Sequence, residues 1–524
     1  MITAANPIIP GCFPDPSICR VGDDYYLVTS TFEYLPGLPV LRSRDLVNWE
    51  TIGFAIDRDG MLDFDRIASS GGLYAPTIRH DGERFWIVCT IVDQQDDSRG
   101  GNFVITAEDP AGPWSDPIWL DARGIDPSVA FDEDGRVWMH GTRLAEDPLW
   151  FHQTEVWVRE YSRTEQALVG EEHVIWHGAV DGVVWAEAPH LYLIDGRWYL
   201  IAAEGGTEFH HAVSVARADE VTGPYVGNRA NPVFTHRHLG RSSPVIGAGH
   251  ADLVQTPDGS WQAVMLAMRA ADGHHYPLGR ETFLCDVAWE DGWPVFAPGR
   301  GSLAKAIEIP WADTAVDERT WQPDARTAGV VLPGDPRWTS LRAVPRTIAT
   351  PDGDGWMLPV RAEALTDAGT VAFVGVRQQH DHVDVTVDLD ASALAVGETA
   401  GLVVRQSEKD HVSVQVTRTD TGLQLGSVQR RAGRDTVSNG GVIPAEASVT
   451  LGVRSRGYDY ELVAGGDVLA RADGRELDAS STGGFLGIWL GVFATSQGNE
   501  PRGSVRIRDF RYEPSEDASL APVT

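Results

Sequence analysis

Three carboxylates and a histidine occupy the first position of a five-fold repeat in the sequence. The copies are DPSICRVGDDYYLV from Asp15, APTIRHDGERFWIV from Ala75, DPSVAFDEDGRVWMH from Asp126, EAPHLYLIDGRWYLI from Glu187 and HADLVQTPDGSWQAV from His250. If equivalent positions meet in space, three carboxyl groups share one pocket. Like charges in a pocket push their pKa values apart, which creates one acid and one base. Such a pair suits glycosidic bond hydrolysis: one carboxyl group protonates the leaving oxygen and the other activates water.

Each copy of the repeat reads as an apolar strand, a tight turn and an aromatic-rich strand. The copies follow one another at spacings of 60, 51, 61 and 63 residues, with no long helical pattern between them. About four short strands in every 50 to 60 residues are typical of propeller blades. The sequence therefore predicts a five-bladed β-propeller over residues 1–310. Its innermost strands would bring the first position of each copy to the central channel.

A different pattern follows the repeat. After a polar linker predicted at 311–327, strict alternation of apolar and polar residues places Val383, Val385 and Val387 on one strand face and Val412 and Val414 on another. Such alternation indicates half-buried antiparallel strands. Residues 328–515 are predicted to form a β-sandwich of the concanavalin or jelly-roll kind, followed by a flexible tail at 516–524. The fold class is therefore all-β.

Composition narrows the partners of the chain. The formal net charge of −32 would repel nucleic acid and anionic membranes. No apolar run is long enough for a spanning helix, and the N-terminus has no signal-peptide pattern. The four cysteines are scattered without metal-site spacing, and we interpret them as reduced thiols of a cytoplasmic protein.

Several blocks together resemble the family 43 glycoside hydrolases, the group of β-xylosidases and α-L-arabinofuranosidases. The run NPIIPGCFPDPSICRVGDDYYLVTSTFEYLPGLPVLRSRDLVNWETIG is similar to the start of that family. Further blocks follow in the family's order: SSGGLYAPTIRH, GIDPSVAFDEDGRVW, AEAPHLYLIDGRWYLIAAEGGTE, GHADLV and LGRETF. AFVGVRQQH resembles the C-terminal sandwich that accompanies the xylosidases. The resemblance spans the whole chain.

The resemblance implies roles for the three acids. Asp15 matches the general base, Glu187 the general acid, and Asp126 the acid that orients Glu187 and tunes its pKa. The family inverts the anomeric configuration, so the base and the acid are expected to stand about 6.5 to 9.5 Å apart, with room for a water.

The resemblance also implies a sugar-binding shell. Arg280 corresponds to an arginine that reaches the bound sugar, Phe32 to an aromatic wall and Thr207 to a residue that lines the pocket. Tyr74 stands where the better-known β-xylosidases carry tryptophan, which leaves the choice between xylose and arabinofuranose open. Phe485 is the candidate aromatic contribution of the sandwich.

His250 is a candidate both for sugar binding and for a metal contact. In the family the equivalent histidine lies on the channel axis, sometimes near a calcium ion held mostly by water. Calcium prefers oxygen ligands, so one imidazole would anchor it weakly. A calcium ion near the axis would therefore have a structural role, and hydrolysis is expected to require no cofactor.

The leading hypothesis is an exo-acting, inverting β-1,4-xylosidase that removes terminal pentoses from xylo-oligosaccharides or arabinoxylan fragments. An α-L-arabinofuranosidase or a bifunctional enzyme of the same family is the alternative. Retaining propeller enzymes of the invertase type begin with a WMNDPNG-like block, which this sequence lacks. A non-catalytic sugar-binding protein would not need all three acids. The expected partner is a pentose-containing oligosaccharide, and assembly into a homo-oligomer is left open.

Overall fold

Strands dominate the chain, and the all-β prediction is confirmed. The computed structural model describes residues 2–272, 274–309 and 328–515, so the predicted linker at 311–327 and tail at 516–524 lie outside the described residues. Helices within the described residues are short: α1 (Pro345–Ile348), α2 (Ala479–Thr482) and the 3-10 turns Asp97–Arg99, Arg237–Leu239 and Gly474–Glu476. No helix in these ranges has the length and apolar character needed to cross a bilayer.

The first part of the chain forms five separate antiparallel sheets, each built from one copy of the repeat. Strand β1 (Ile2–Ala5) precedes them. The first sheet contains β2 (Ser17–Val21), β3 (Asp24–Val28), β5 (Gly37–Ser43) and β6 (Glu50–Ile56), with β4 (Tyr34–Leu35) pairing elsewhere. The second contains β7 (Gly72–Leu73), β8 (Thr77–His80), β9 (Phe85–Val92), β10 (Gly101–Ala107) and β11 (Ile118–Trp119).

The remaining three sheets follow the same plan. The third contains β12 (Ile125–Phe131), β13 (Val137–Leu144), β14 (Thr154–Ser162) and β15 (Ala167–Trp176). The fourth contains β16 (Glu187–Ile194), β17 (Arg197–Glu204), β18 (Ala212–Ala218), β19 (Val226–Gly227) and β20 (Phe234–Thr235). The fifth contains β21 (Val245–Gln255), β22 (Trp261–Arg269), β23 (Glu281–Glu290) and β24 (Trp293–Phe296), and β25 (Ala306–Ile309) comes after it.

The five sheets close into a ring. The innermost strands β2, β8, β12, β16 and β21 contact one another in that order, and β21 contacts β2 again. Antiparallel pairing of β1 with β25 joins the two ends of this part of the chain. We propose that each sheet is one propeller blade, whose innermost strand lines the central channel.

A left-handed backbone conformation recurs on, or just before, four of the innermost strands. Such a conformation is uncommon outside glycine and often accompanies a functional constraint. It occurs in the first, third, fourth and fifth sheets at Asp15 (φ 56°), Asp126 (φ 52°), Ala188 (φ 49°) and His250 (φ 51°). In the fourth sheet the residue is therefore Ala188, one position after the predicted Glu187.

The strand register corrects the alignment of the fourth copy. Glu187 pairs with Ala203 just before an irregularity in β16, as Ile125 pairs with Thr142 before an irregularity in β12. Glu187 is thus equivalent to Ile125, and the prediction that it shares the position of Asp126 is wrong by one residue. The hairpin turn has five residues between β12 and β13 (132–136) and two between β16 and β17 (195–196). An alignment without gaps could not account for this difference in length.

The second part of the chain forms two facing sheets. One contains β26 (Gly329–Val330), β28 (Thr350–Asp352), β29 (Gly355–Pro359), β31 (His382–Asp390), β36 (Ser448–Arg456), β37 (Asp459–Ala464), β38 (Asp467–Asp473) and β40 (Ser504–Pro514). The other contains β30 (Ala372–Arg377), β32 (Thr399–Arg405), β33 (His411–Thr419), β34 (Gly422–Arg431), β35 (Arg434–Ile443) and β39 (Trp489–Thr495).

The valines with alternating spacing are buried between these sheets. Val383, Val385 and Val387 of β31 and Val412 and Val414 of β33 belong to one apolar core, as predicted. A short strand, β27 (Ser340–Leu341), pairs with β4 and so attaches the sandwich to the ring. We propose residues 1–310 and 328–515 as the two domains.

Candidate active site

An open cavity lies at the channel, and every residue proposed from the sequence lines it. Its lining combines acids, aromatic rings, one arginine and two histidines. The lining residues are Asp15, Phe32, Tyr74, Ala75, Ile125, Asp126, Glu187, Thr207, His211, His250, Arg280 and Phe485. The fold thus brings together side chains that lie as far as 470 residues apart in the sequence.

Asp15 is held by hydrogen bonds to both carboxylate oxygens. Oδ1 accepts from Arg280 Nη1 at 2.9 Å, and Oδ2 accepts from Ser30 Oγ at 2.6 Å. Ser30 is fixed in turn because its backbone N–H donates to the carbonyl of Pro14 at 3.1 Å. Donors on both oxygens fix the orientation of this carboxylate. Asp15 is therefore a rigidly placed carboxylate in the cavity wall, which is what a general base requires.

Asp126 fixes the backbone that carries Glu187. Its Oδ2 accepts from the backbone N–H of Ala188, the next residue, at 2.9 Å. Burial, together with the negative charge of Asp15, raises the pKa of Asp126 to about 7. A small change at Asp126 would thus alter both the position and the charge surroundings of Glu187.

Glu187 has a pKa well above the usual range of a glutamate. Burial is the main cause, the charges of Asp126 and Asp15 add to it, and the charge of Arg280 opposes it. Glu187 keeps a partial opening toward solvent. A carboxyl group that stays protonated near neutral pH and remains accessible can donate a proton to a leaving group.

Arg280 provides the positive charge among the acids. Besides its bond to Asp15, Nη1 donates to Thr207 Oγ1 at 3.0 Å. Its guanidinium carbon lies 5.7 Å from the ring centre of Phe32 and 5.3 Å from that of Phe485, within the range of cation–π attraction. Arg280 thereby connects the ionised base with the aromatic wall.

Three aromatic rings form one wall of the cavity. Phe32 and Phe485 are stacked at 6.1 Å, and Tyr74 meets each of them edge-on at 5.7 Å. Ser70 tethers two of the three, since its carbonyl accepts from Tyr74 Oη at 2.8 Å and its Oγ accepts from the backbone N–H of Phe485 at 2.9 Å. The sandwich therefore contributes Phe485 to the same wall as the ring of sheets.

The two histidines of the cavity are neutral near pH 7. Burial lowers the pKa of His250, although its Nδ1 lies 3.6 Å from Asp15 Oδ1. Burial lowers the pKa of His211 to about 3, and its Nδ1 lies 3.1 Å from the carbonyl of Gly247. His211 was missed in the sequence, where the only signal was its position four residues after Thr207.

The residues around the axis do not fit a directly bound metal ion. Within the described ranges, no group of three histidine, cysteine, aspartate or glutamate side chains is arranged to hold one. Asp252, the acid two residues after His250, already binds the guanidinium of Arg79 through both oxygens at 2.8 Å. Asp15, the acid beside His250, is paired with Arg280. The anionic oxygens that a cation would need are thus already occupied by arginines.

Family models match both parts of the chain. Residues 4–294 match the model for glycosyl hydrolases family 43, and residues 333–513 match the model for a β-xylosidase C-terminal concanavalin A-like domain. A xylosidase/arabinosidase of Butyrivibrio fibrisolvens is 38% identical over 511 residues, which cover 95% of this chain and 97% of that protein. A non-reducing end α-L-arabinofuranosidase of Bacteroides ovatus is 34% identical, with 95% and 92% covered.

A solved structure agrees over almost the whole length. The xylan β-1,4-xylosidase of Bacillus halodurans superposes with a TM-score of 0.86 at 31% identity, covering 97% of this chain and 100% of that chain. Sequence similarity, the concanavalin A-like second domain and the superposition agree with one another. The chain is a glycoside hydrolase and belongs to glycoside hydrolase family 43.

Proposed function

We propose that the protein is an exo-acting, inverting β-1,4-xylosidase that releases terminal pentoses from xylo-oligosaccharides and arabinoxylan fragments. One observation carries the proposal. The same cavity holds an anionic Asp15, bonded to Arg280 and Ser30, and a Glu187 whose pKa is well above normal. Two carboxyl groups in opposite protonation states are what an inverting mechanism needs.

In the proposed mechanism, Asp15 removes a proton from a water molecule as that water attacks the anomeric carbon. Glu187 donates its proton to the oxygen of the departing sugar, so the leaving group departs neutral. Asp126 positions Glu187 through the N–H of Ala188 and keeps its pKa high. The separation of about 6.5 to 9.5 Å between base and acid stays a prediction.

The shape of the aromatic wall supports exo action. Phe32, Tyr74 and Phe485 pack against one another on one side of the cavity, and Phe485 comes from the sandwich. A cavity closed on one side admits the end of a sugar chain and excludes its middle. A single terminal residue is therefore the unit proposed to be released.

An α-L-arabinofuranosidase, alone or combined with xylosidase activity, is the second candidate. The specific feature that favours it is Tyr74, whose hydroxyl donates to Ser70 O and accepts from Gln94 Nε2 at 2.9 Å. A tryptophan at this place could not accept that bond. Two of the similar proteins are also named for arabinose-releasing activity. Both activities would use the same three acids.

We propose further that hydrolysis needs no metal. Residues of the chain carry out both proton transfers of the mechanism, and Arg280 supplies the positive charge beside Asp15. A calcium ion near the axis would have to be held through water, because Arg79 and Arg280 already pair with the nearby carboxylates of Asp252 and Asp15.

The test is hydrolysis of p-nitrophenyl β-D-xylopyranoside and p-nitrophenyl α-L-arabinofuranoside by wild type, Asp15→Ala and Glu187→Ala. Loss of general acid–base assistance is expected to lower kcat by about 10²- to 10⁴-fold. Nitrophenolate needs little protonation to leave, so Glu187→Ala should lose less activity on this substrate than on xylobiose. Asp15→Ala should lose similar activity on both.

Asp134→Ala is the matched control. Asp134 is an aspartate of the same repeat that lies exposed in the hairpin turn of the third sheet. It should retain wild-type rates on both substrates. Unreduced activity of Asp15→Ala and Glu187→Ala would contradict the assignment, and the ratio of the two wild-type rates decides between xylosidase and arabinofuranosidase.

A further inference from the structure

An exposed aromatic stack lies on the loops beside Glu187. Phe151 and His152 stack with ring centres 3.6 Å apart, and His152 lies 4.3 Å from the ring of Trp185 at a tilt of 35°. Phe151 is 79% exposed, which is unusual for a phenylalanine. We call these three residues the rim stack.

The rim stack is anchored to the acid side of the cavity. Trp185 precedes Glu187 by two residues, and its backbone N–H donates to the carbonyl of His152 at 3.1 Å. The Trp185 ring also packs against Gly206, where an added Cβ would lie 3.4 Å from Cδ1. Gly206 adjoins Thr207, which lines the cavity. The stack is therefore continuous with the cavity edge at the general acid.

Further bonds hold the two loops together. Trp150 Nε1 donates to the carbonyl of Val183 at 2.7 Å, and Thr154 Oγ1 donates to the carbonyl of Ala186 at 2.9 Å. These bonds fix the segments just before and after the stack. The two loops that carry the rings are thus joined on both sides of the stack.

Under the proposed function, on which this inference rests, the released sugar contacts Phe32, Tyr74 and Phe485. The leaving group departs on the other side, next to Glu187. The apolar C–H faces of sugar rings pack well against aromatic rings. We propose that the rim stack is a binding platform for the leaving-group side of the substrate, where it takes the pentose units next to the bond that is cleaved.

A second copy of the chain is the competing occupant of the rim stack. Leu149, in the same loop, is 84% exposed, so this region is also apolar enough for a subunit contact. The sugar is favoured because Trp185 precedes the general acid by two residues and because the stack includes a histidine, which can also form hydrogen bonds with hydroxyl groups. The experiment separates the two occupants.

The test compares Phe151→Ala with wild type and with Trp119→Ala. Phe151 is exposed, so its removal should not disturb folding. Trp119 is a matched exposed aromatic residue, 51% exposed, on the outer strand β11. For the pentoside that wild type cleaves, kcat/KM is measured on the oligosaccharide with three pentose units and on the corresponding glycosyl fluoride. The leaving group of the glycosyl fluoride is a fluoride ion, which has no sugar ring for the rim stack to bind.

Phe151→Ala is expected to lower kcat/KM on the oligosaccharide by about two- to ten-fold and to leave the fluoride unchanged, as one aromatic contact implies. Trp119→Ala should leave both unchanged. An unchanged ratio of the two substrates in Phe151→Ala overturns the platform. A lower molar mass in light scattering, together with that unchanged ratio, assigns the surface to a subunit contact. Wild type that cleaves no pentoside would instead overturn the proposed function.

Discussion

Replacement of Arg405 by methionine is expected to destabilise the protein and to weaken substrate binding at a cavity that Arg405 does not line. Arg405 is fully buried where the sandwich meets the ring of sheets. Its Nη1 donates to Tyr34 Oη at 2.8 Å, and its Nη2 donates to Ser69 Oγ at 3.0 Å. It also lies 3.5 Å from the carboxylate of Glu33, which is equally buried.

The magnitude follows from the charges of this cluster. Glu33 and Glu408 are balanced by Arg342 and Arg405, all within one set of ion pairs. Removal of Arg405 leaves one buried carboxylate without its cation, which typically costs about 3–5 kcal/mol of unfolding free energy. Burial already raises the pKa of Glu33, so the variant should also bind a proton there at higher pH than wild type.

The effect should extend to the cavity through Ser69 and Ser70. Glu33 accepts from Ser69 Oγ at 2.8 Å and from the backbone N–H of Ser70 at 3.2 Å. Ser70 in turn tethers Tyr74 and Phe485. Loosening this segment should let the aromatic wall move, so we expect KM for the aryl pentoside to rise by more than kcat falls.

The assays are chemical denaturation and steady-state kinetics, with Arg506→Met as the control. Arg506 pairs with Asp352 at 3.1 Å on the surface of the sandwich, where such pairs contribute about 0–1 kcal/mol. A loss in Arg405→Met no larger than in the control would refute the stability argument. A large loss with an unchanged KM would refute the link between the cluster and the cavity.

Three further predictions concern the cavity itself. Asp126→Asn removes a negative charge that raises the pKa of Glu187, so the alkaline limb of the kcat/KM profile should move to lower pH. A shift to higher pH would contradict the assignment of Glu187 as the acid. Gly249→Ala places a Cβ in steric conflict with the His211 ring, so KM should rise, whereas Gly259→Ala, at an open turn, should leave KM unchanged. EDTA should leave kcat unchanged, and a loss that calcium restores would contradict metal-independent hydrolysis.

Local patterns were enough to predict the propeller-like part and the ring of acids, whereas the residues of the sugar-binding shell were predicted from the family resemblance. Strand and turn signals recur in every repeat copy, so the sequence alone could place Asp15, Asp126 and His250 at one edge. Glu187 also reached the cavity, although its register was wrong by one residue. Hairpin lengths differ between copies, and the length of a turn is poorly determined by periodicity alone.

The contacts that shape the cavity could not be predicted in the same way. Glu33 and Arg405 are separated by 372 residues, and neither lies in a repeated motif. Their pairing depends on how the sandwich docks against the ring, which is a property of long-range packing. His211 and the rim stack lie on segments between strands, where the sequence gives little information about the direction in which a side chain points.

In the proposed mechanism Asp15 activates water and never bonds to the sugar. This role is tested most directly by ¹H NMR of the first-formed pentose, recorded before mutarotation equilibrates the anomers. We expect the anomer opposite to that of the substrate, which is α-xylose from a β-xyloside. First appearance of the same anomer as the substrate would require a covalent sugar–enzyme intermediate and would contradict the role of Asp15 as a general base.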